Sequence, residues 1–239
     1  MEVLNDLLNY NNLKIYQNTE MFSFSLDSVL LPNFVTLNKN IKKVLDIGSG
    51  NAAIPLILTT KTDAKITGIE IQEESYYLGK KSIEYNQLED KIEFINDDVK
   101  EYAKKIESDT FDTITCNPPY FKVNDKSRFN DSDYKTIARH EIKLNLEELF
   151  KIAKKLLKNN GNIAIVHRPE RLIDIIEEMK KNNIEPKKVQ FVYPGVEKQA
   201  NILLIEGIKN GKPGLKILKP IYSHLENGEY TDEIKKFFQ

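Results

Sequence analysis

Four adjacent residues, Asn117-Pro118-Pro119-Tyr120, bring together what is needed to hold a planar amine. The Asn side-chain carbonyl can accept one N–H. The Pro118 carbonyl can accept a second, from a backbone whose φ is fixed by its ring. The Tyr120 ring offers a face for stacking. An exocyclic amino group gripped by both hydrogens loses its resonance planarity, and its lone pair becomes a nucleophile. The plainer reading is an Asn-Pro-Pro turn that only ends a strand.

Such chemistry needs a platform. Phe111–Cys116 has the β-branched and aromatic content of a strand, and the two prolines forbid its continuation. Open α/β sheets bind ligands at the C-terminal ends of their strands. Upstream, Val44–Ile47 reads as a strand followed by Gly48 and Gly50, a spacing that lets backbone approach a ligand closely. A helix is expected over Asn51–Thr60. A second strand, Lys65–Ile69, ends at Glu70, ~20 residues beyond the glycines, where an acid can grip ribose hydroxyls. A helix over Ser75–Asn86 leads to a third strand, Ile92–Ile95. It ends at Asn96-Asp97-Asp98, where a carboxylate can accept an adenine amine. Asp46, Glu70, Asp97 or Asp98, and Asn117 thus close four successive strands. Each acid alone is most simply a cap or a surface carboxylate; four in succession point to one ligand.

Gly48-x-Gly50-x-Ala52 lacks the third glycine of a dinucleotide loop, and the helix after it lacks the Lys and Ser of a P-loop. Asp46 would repel a phosphate but can pair with an α-ammonium group, directly or through water. A ligand with an amino-acid end, a ribose and an adenine satisfies all three acidic positions, and S-adenosylmethionine is that ligand.

Composition bounds the rest. The chain has 239 residues, 40% hydrophobic and 30% charged, which excludes a disordered or membrane-embedded protein. No apolar run approaches ~18 residues, and no signal-peptide pattern opens the sequence. With Cys116 as the single cysteine, no internal disulfide forms and a cytoplasmic address is expected. Net charge is −1 but unevenly spread. Residues 1–100 carry 10 basic and 15 acidic side chains, and residues 142–239 carry 18 and 13. A docking polyanion should therefore lie on the C-terminal side, unless the lysines are merely solvated helix faces.

Before the glycines, the pattern predicts a short helix over Val3–Leu8, an extended Leu13–Gln17 and an alternating strand over Met21–Leu26. Asp27 then either caps a helix from about Ser28 to Leu37, with Pro32 inside it, or belongs to a segment that closes over a bound cofactor. Beyond the acceptor motif, an amphipathic helix is expected over Leu144–Leu157, stopped by Asn160-Gly161. A fifth strand spans Asn162–Val166, and a helix runs from near Pro169 to Lys181. Val189–Tyr193 and Ile202–Ile205 make an antiparallel pair, since the loop joining them is short for a helical crossover. A tail from 211 ends in a helix over Thr231–Phe238. The segment Phe121–His140 interleaves Lys122, Arg128, Arg139 and His140 with Phe121, Phe129 and Tyr134, which suits an unpaired nucleotide. Its acidic residues, Asp125, Asp131 and Asp133, leave a solvated loop equally open.

The sequence resembles the seven-strand S-adenosylmethionine-dependent methyltransferases over about residues 20–210. Asp46-Ile47-Gly48-Ser49-Gly50 looks like their first motif, Glu70 like their ribose-binding acid, and Asp98 or Asp97 like their adenine-binding acid. Asn117-Pro118-Pro119-Tyr120 looks like the motif of those that methylate planar amides or amino groups. Two shorter stretches, Phe22 to Leu31 and Arg139-His140-Glu141, resemble the tRNA(Val) adenine-N6 methyltransferases, which modify the adenine beside the anticodon. Ala52 departs from the pattern, because such loops often carry glycine there.

The resemblance implies an α/β fold, a doubly wound, seven-stranded, mostly parallel Rossmann-like sheet with an antiparallel last strand. It implies one domain, with 1–40 lying over the cofactor site, 41–210 as the core and 211–239 as a tail. S-adenosylmethionine is then the donor and S-adenosylhomocysteine the product, with no metal required. Asp27, Asp46, Gly48, Gly50, Asn51, Glu70, Ile71, Asp97, Asp98, Val99 and Asn117 would line the donor site. Asn117, Pro118 and Tyr120 would present the target, an adenine N6 in RNA, most simply tRNA. Tyr120, Phe121, Lys122, Arg128, Arg139 and His140 would hold the substrate. The rival readings are a protein-glutamine methyltransferase, a DNA adenine methyltransferase and a non-enzymatic binder of the same fold. The first carries a sizeable N-terminal helical domain and the second a target-recognition domain, and little chain is left here for either.

Overall fold

The computed structural model describes residues 1–7, 12–19, 25–118 and 144–238. Strands β1 (Glu2–Asp6) and β2 (Lys14–Asn18) form an antiparallel hairpin, followed by α1 (Leu26–Phe34). Then come β3 (Lys43–Ile47), α2 (Ala53–Leu58), β4 (Lys65–Glu70), α3 (Glu73–Tyr85), β5 (Ile92–Asn96), α4 (Val99–Lys105) and β6 (Phe111–Cys116). The second half contributes α5 (Leu146–Leu156), β7 (Leu157–His167), α6 (Leu172–Lys181), β8 (Ile184–Tyr193) and β9 (Ile202–Lys209). Two two-residue strands, β10 (Lys216–Ile217) and β11 (Ile221–Tyr222), precede α7 (Asp232–Lys236).

The core sheet runs β8-β9-β7-β6-β3-β4-β5, parallel except for β9, which opposes both its neighbours. This is the expected seven-stranded sheet. β10 and β11 extend its edge by pairing with β8. Alternation along the strands feeds two apolar layers. Val44, Ile66, Ala164 and Leu204 pack with Val29, Leu30, Leu56 and Ile57 from α1 and α2. Leu45, Ile47, Ile69, Ile114 and Ile165 pack with Leu149, Phe150, Ile175 and Met179 from α5 and α6. Helices therefore cover both faces, and the polar strand ends are left at the carboxyl edge.

Several local expectations change. The N-terminal helix is strand β1 instead: five residues are too few to nucleate a helix in isolation, and pairing with β2 supplies the hydrogen bonds. The other edge of β2 is satisfied by α3. The Tyr16 amide donates to Ser82 Oγ at 2.9 Å, and Lys14 exchanges two bonds with the Asn86 side chain at 2.9 and 2.7 Å. Ser25, not Asp27, occupies the cap position of α1, and Asp27 lies buried in its first turn. The strand expected over Met21–Leu26 falls largely outside the described residues. α2 begins two residues late, because Gly48, Gly50 and Ala52 all take positive φ, at 69°, 55° and 69°.

Candidate active site

The site is set by strand register. In β3 and β6 the last registered partners are Ile47 and Cys116, so the next residues, Gly48 and Asn117, leave the sheet side by side. On the other side Ile47 pairs with Ile69, and Glu70 pairs with Asn96. One edge therefore presents Asn117, the glycine bend, Glu70 and the Asn96-Asp97-Asp98 turn in spatial order. Three inter-strand gaps of about 4.8 Å make an edge of about 14 Å, the length of an extended nucleoside with an amino-acid tail.

The bend is held from below. The amides of Gly48 and Ser49 both donate to the Ile69 carbonyl, at 2.9 and 3.0 Å. The Glu70 carboxylate accepts the Gly50 amide at 2.8 Å and the Gln72 amide at 2.7 Å. Burial raises the Glu70 pKa, and the two backbone bonds oppose that shift. A methyl group built onto Gly48 or Gly50 would meet no atom within 4 Å, so both glycines face open space, while their positive φ values would strain a side chain.

Asp46 is fully buried beneath the bend. Its Oδ1 accepts Thr115 Oγ1 at 2.6 Å, and its Oδ2 has no hydrogen-bond partner among the described residues. Burial pushes its pKa up to about 7, the Thr115 and Ser49 hydroxyls oppose, and the charge of Glu70 adds to the rise. Thr115 went unnoticed in the sequence because only the β3–β6 register sets it opposite Asp46.

The remaining site candidates divide. Asn51 Nδ2 donates to the Tyr16 carbonyl at 3.0 Å, tying the hairpin to the bend. Asp97 accepts the Asp98 amide at 2.9 Å and pairs with Lys105 at 2.7 Å, which lowers its pKa. Asp98 caps α4 by accepting the Lys100 amide at 2.8 Å. Both acids considered for an adenine amine thus also have structural work. Ile71 is half-buried and follows Glu70, and Val99 is buried at the start of α4. Asn117 is half-buried and Pro118 buried. Tyr120, Phe121, Lys122, Arg128, Arg139 and His140 lie outside the described residues.

An acid-held glycine bend with an orphaned buried carboxylate oxygen fits a donor carrying a ribose and an ammonium group. With this strand order, the fold and site define an S-adenosylmethionine-dependent methyltransferase. The comparisons agree. A family model described as a methyltransferase domain matches residues 38–219, and the chain belongs to that family. Among its relatives is a tRNA1(Val) (adenine(37)-N6)-methyltransferase of Flavobacterium psychrophilum, 25% identical, covering 97% of this chain and 99% of the relative. A like-named enzyme of Bacteroides fragilis is 27% identical and covers 89% of both. Among solved structures, a predicted O-methyltransferase from Agrobacterium tumefaciens shares the fold, with a TM-score of 0.70 at 18% identity, covering 89% of this chain and 95% of that one. A geranyl diphosphate methyltransferase in complex with S-adenosylmethionine does so at 0.56 and 11%, covering 76% and 84%. No helix among the described residues is long and apolar enough to cross a membrane.

Proposed function

We propose that this protein methylates the exocyclic N6 of an adenine in RNA, foremost a tRNA, in the cytoplasm. The observation that carries the reading is the side-by-side exit of Gly48 and Asn117 from adjacent parallel strands. It sets an amide acceptor one strand away from the bend that would hold the donor. The relatives named for tRNA adenine-N6 methylation, alignable over nearly the whole chain, support the choice of substrate.

When bound, S-adenosylmethionine supplies an electrophilic methyl on a sulfonium. The chain's part is positional. The Asn117 side-chain carbonyl and the Pro118 carbonyl each accept one N6 hydrogen, and the Tyr120 ring stacks on the base. The N6 lone pair then forms the new N–C bond as the S–C bond breaks, its electron pair neutralising the sulfur, and the surplus proton leaves to solvent. S-adenosylhomocysteine is the second product. Taking the target base out of its stack costs a few kcal/mol, least in an open loop. Phe121, Lys122, Arg128, Arg139 and His140 are assigned to hold the RNA around it. Asp46, Gly48, Gly50, Asn51, Glu70, Ile71, Asp97, Asp98 and Val99 are assigned to the donor. Asp27, at the start of α1, is assigned to the segment that covers it. The 239 residues are read as one domain, with the hairpin and α1 on the donor side.

Incubation with total tRNA and labelled S-adenosylmethionine, followed by nucleoside mass analysis, tests this. The expected product is N6-methyladenosine. Label found in protein glutamine or DNA, with none in RNA, would overturn it.

A further inference from the structure

Two buried side-chain atoms lack a hydrogen-bond partner among the described residues: the acceptor Asp46 Oδ2 and the donor Gln17 Nε2. An orphan of this kind is costly to a fold, and the pair is complementary. They flank the same feature. Asp46 lies two residues before Gly48. Gln17 follows Tyr16, whose carbonyl accepts Asn51 Nδ2 at 3.0 Å, one residue beyond Gly50. Hairpin register pairs Val3 with Gln17 and Asn5 with Ile15, which puts Gln17 on the same inward face as the fully buried Ile15. Gln17 is itself 5% exposed. Tyr16 points the other way, edge-on to Tyr85 with Lys81 over its ring. Asn5 Nδ2 donates to Gln17 Oε1 at 2.8 Å, which fixes the amide and leaves Nε2 as the donor still to be satisfied.

We propose that these two atoms bracket the amino-acid end of the methyl donor, with Gln17 donating to its carboxylate and Asp46 accepting from its ammonium. This deepens the donor-site reading and rests on it. The hairpin then completes the site as well as covering α3, and the Asn51–Tyr16 bond couples its position to the bend. A neutral amide suits the role, because it donates to a carboxylate without burying a further charge.

The test is calorimetric titration with three ligands: S-adenosylmethionine, S-adenosylhomocysteine and 5′-methylthioadenosine, which keeps the nucleoside and sulfur but has no amino-acid end. Gln17→Met keeps the length of the side chain and removes the donor. It is expected to weaken the first two by about 10- to 100-fold, the range of a hydrogen bond to a charged group. Methylthioadenosine should stay within about twofold of wild type on the same principle. Circular dichroism of the ligand-free variant reports that it folds. If it does not, Gln17→Glu keeps the side chain's shape and sets a negative charge against the carboxylate. It should give a larger loss for the two full-length ligands and none for methylthioadenosine. Equal weakening of all three ligands, or of none, overturns the proposal. A wild-type protein that binds none of the three overturns the donor-site reading beneath it.

Discussion

The backbone amide of Gly50 donates to Glu70 Oε2 at 2.8 Å. The acid that closes β4 therefore holds the bend that follows β3, and its other oxygen takes the Gln72 amide. Two neighbouring strand ends are locked together before any ligand arrives, which would preorganise the site proposed for the donor.

Glu70→Ala is expected to cost about 2 kcal/mol, because each lost bond to a charged acceptor is worth ~1.5–3 kcal/mol against the burial cost of the carboxylate. For a chain of this length that lowers Tm by about 4–8 °C. S-adenosylmethionine affinity should fall more than about tenfold, with Glu70→Gln intermediate in both. A thermal scan and a calorimetric titration check this, and an unchanged Tm would refute the bracing role.

Asp46 predicts a pH signature. Its pKa is raised from 3.8 to about 7 in the folded protein. Below pH ~4 the folded and unfolded chains both hold the proton; between ~4 and ~7 only the folded chain does. The contribution is thus fully present below the unfolded value and is lost as pH rises through the folded one. Relative to the non-titrating Asp46→Asn, the wild type should lose stability between pH 4.5 and 7.5. Ammonium binding favours the ionised carboxylate, so donor affinity should rise across the same window with proton release. Titrations in two buffers of different ionisation enthalpy measure that release. A flat stability difference and no proton release would remove Asp46 from the ammonium site.

Asn117→Ala and Tyr120→Ala should each lower kcat by about 100-fold, the cost of a misplaced reacting group. Donor affinity should stay within about threefold of wild type in both. Single-turnover methylation of tRNA, alongside donor titration, separates the two effects. Wild-type turnover in both variants would reassign the motif to a structural turn.

Glu206 makes the opposite prediction. It is 3% exposed and accepts the Thr36 amide at 2.6 Å and the Thr36 hydroxyl at 2.7 Å, with Lys188 Nζ 3.4 Å away over the Phe34 ring. Glu206→Ala removes the counter-charge of Lys188, which keeps only the Phe34 carbonyl and the Thr36 hydroxyl as acceptors, and frees the chain after α1, at a cost of about 3 kcal/mol. Tm should fall by ~6–12 °C. Donor affinity in the folded variant should be unchanged, and Lys188→Met in the same chain should recover part of the loss. A change in affinity without a change in Tm would place this cluster in the site instead.

The amino-acid sequence alone determined the repeating strand–helix pattern, the glycines at 48 and 50, the polar closures at Asp46, Glu70, Asp97, Asp98 and Asn117, and through them the kind of ligand. Those signals are local: period-two apolar runs, proline stops and backbone freedom are all properties of a few adjacent residues. Tertiary structure alone decided what each polar atom does. Thr115 meets Asp46 only through strand register, and Asn51 is spent on Tyr16 only because the hairpin lies there. Asp97 is drawn to Lys105 along the length of α4, and Gln17 is left unsatisfied by burial. Strand β1 and the two-residue strands β10 and β11 were hidden for the same reason. Such short segments have no conformation of their own, and they become strands only when a partner edge supplies the other half of each hydrogen bond.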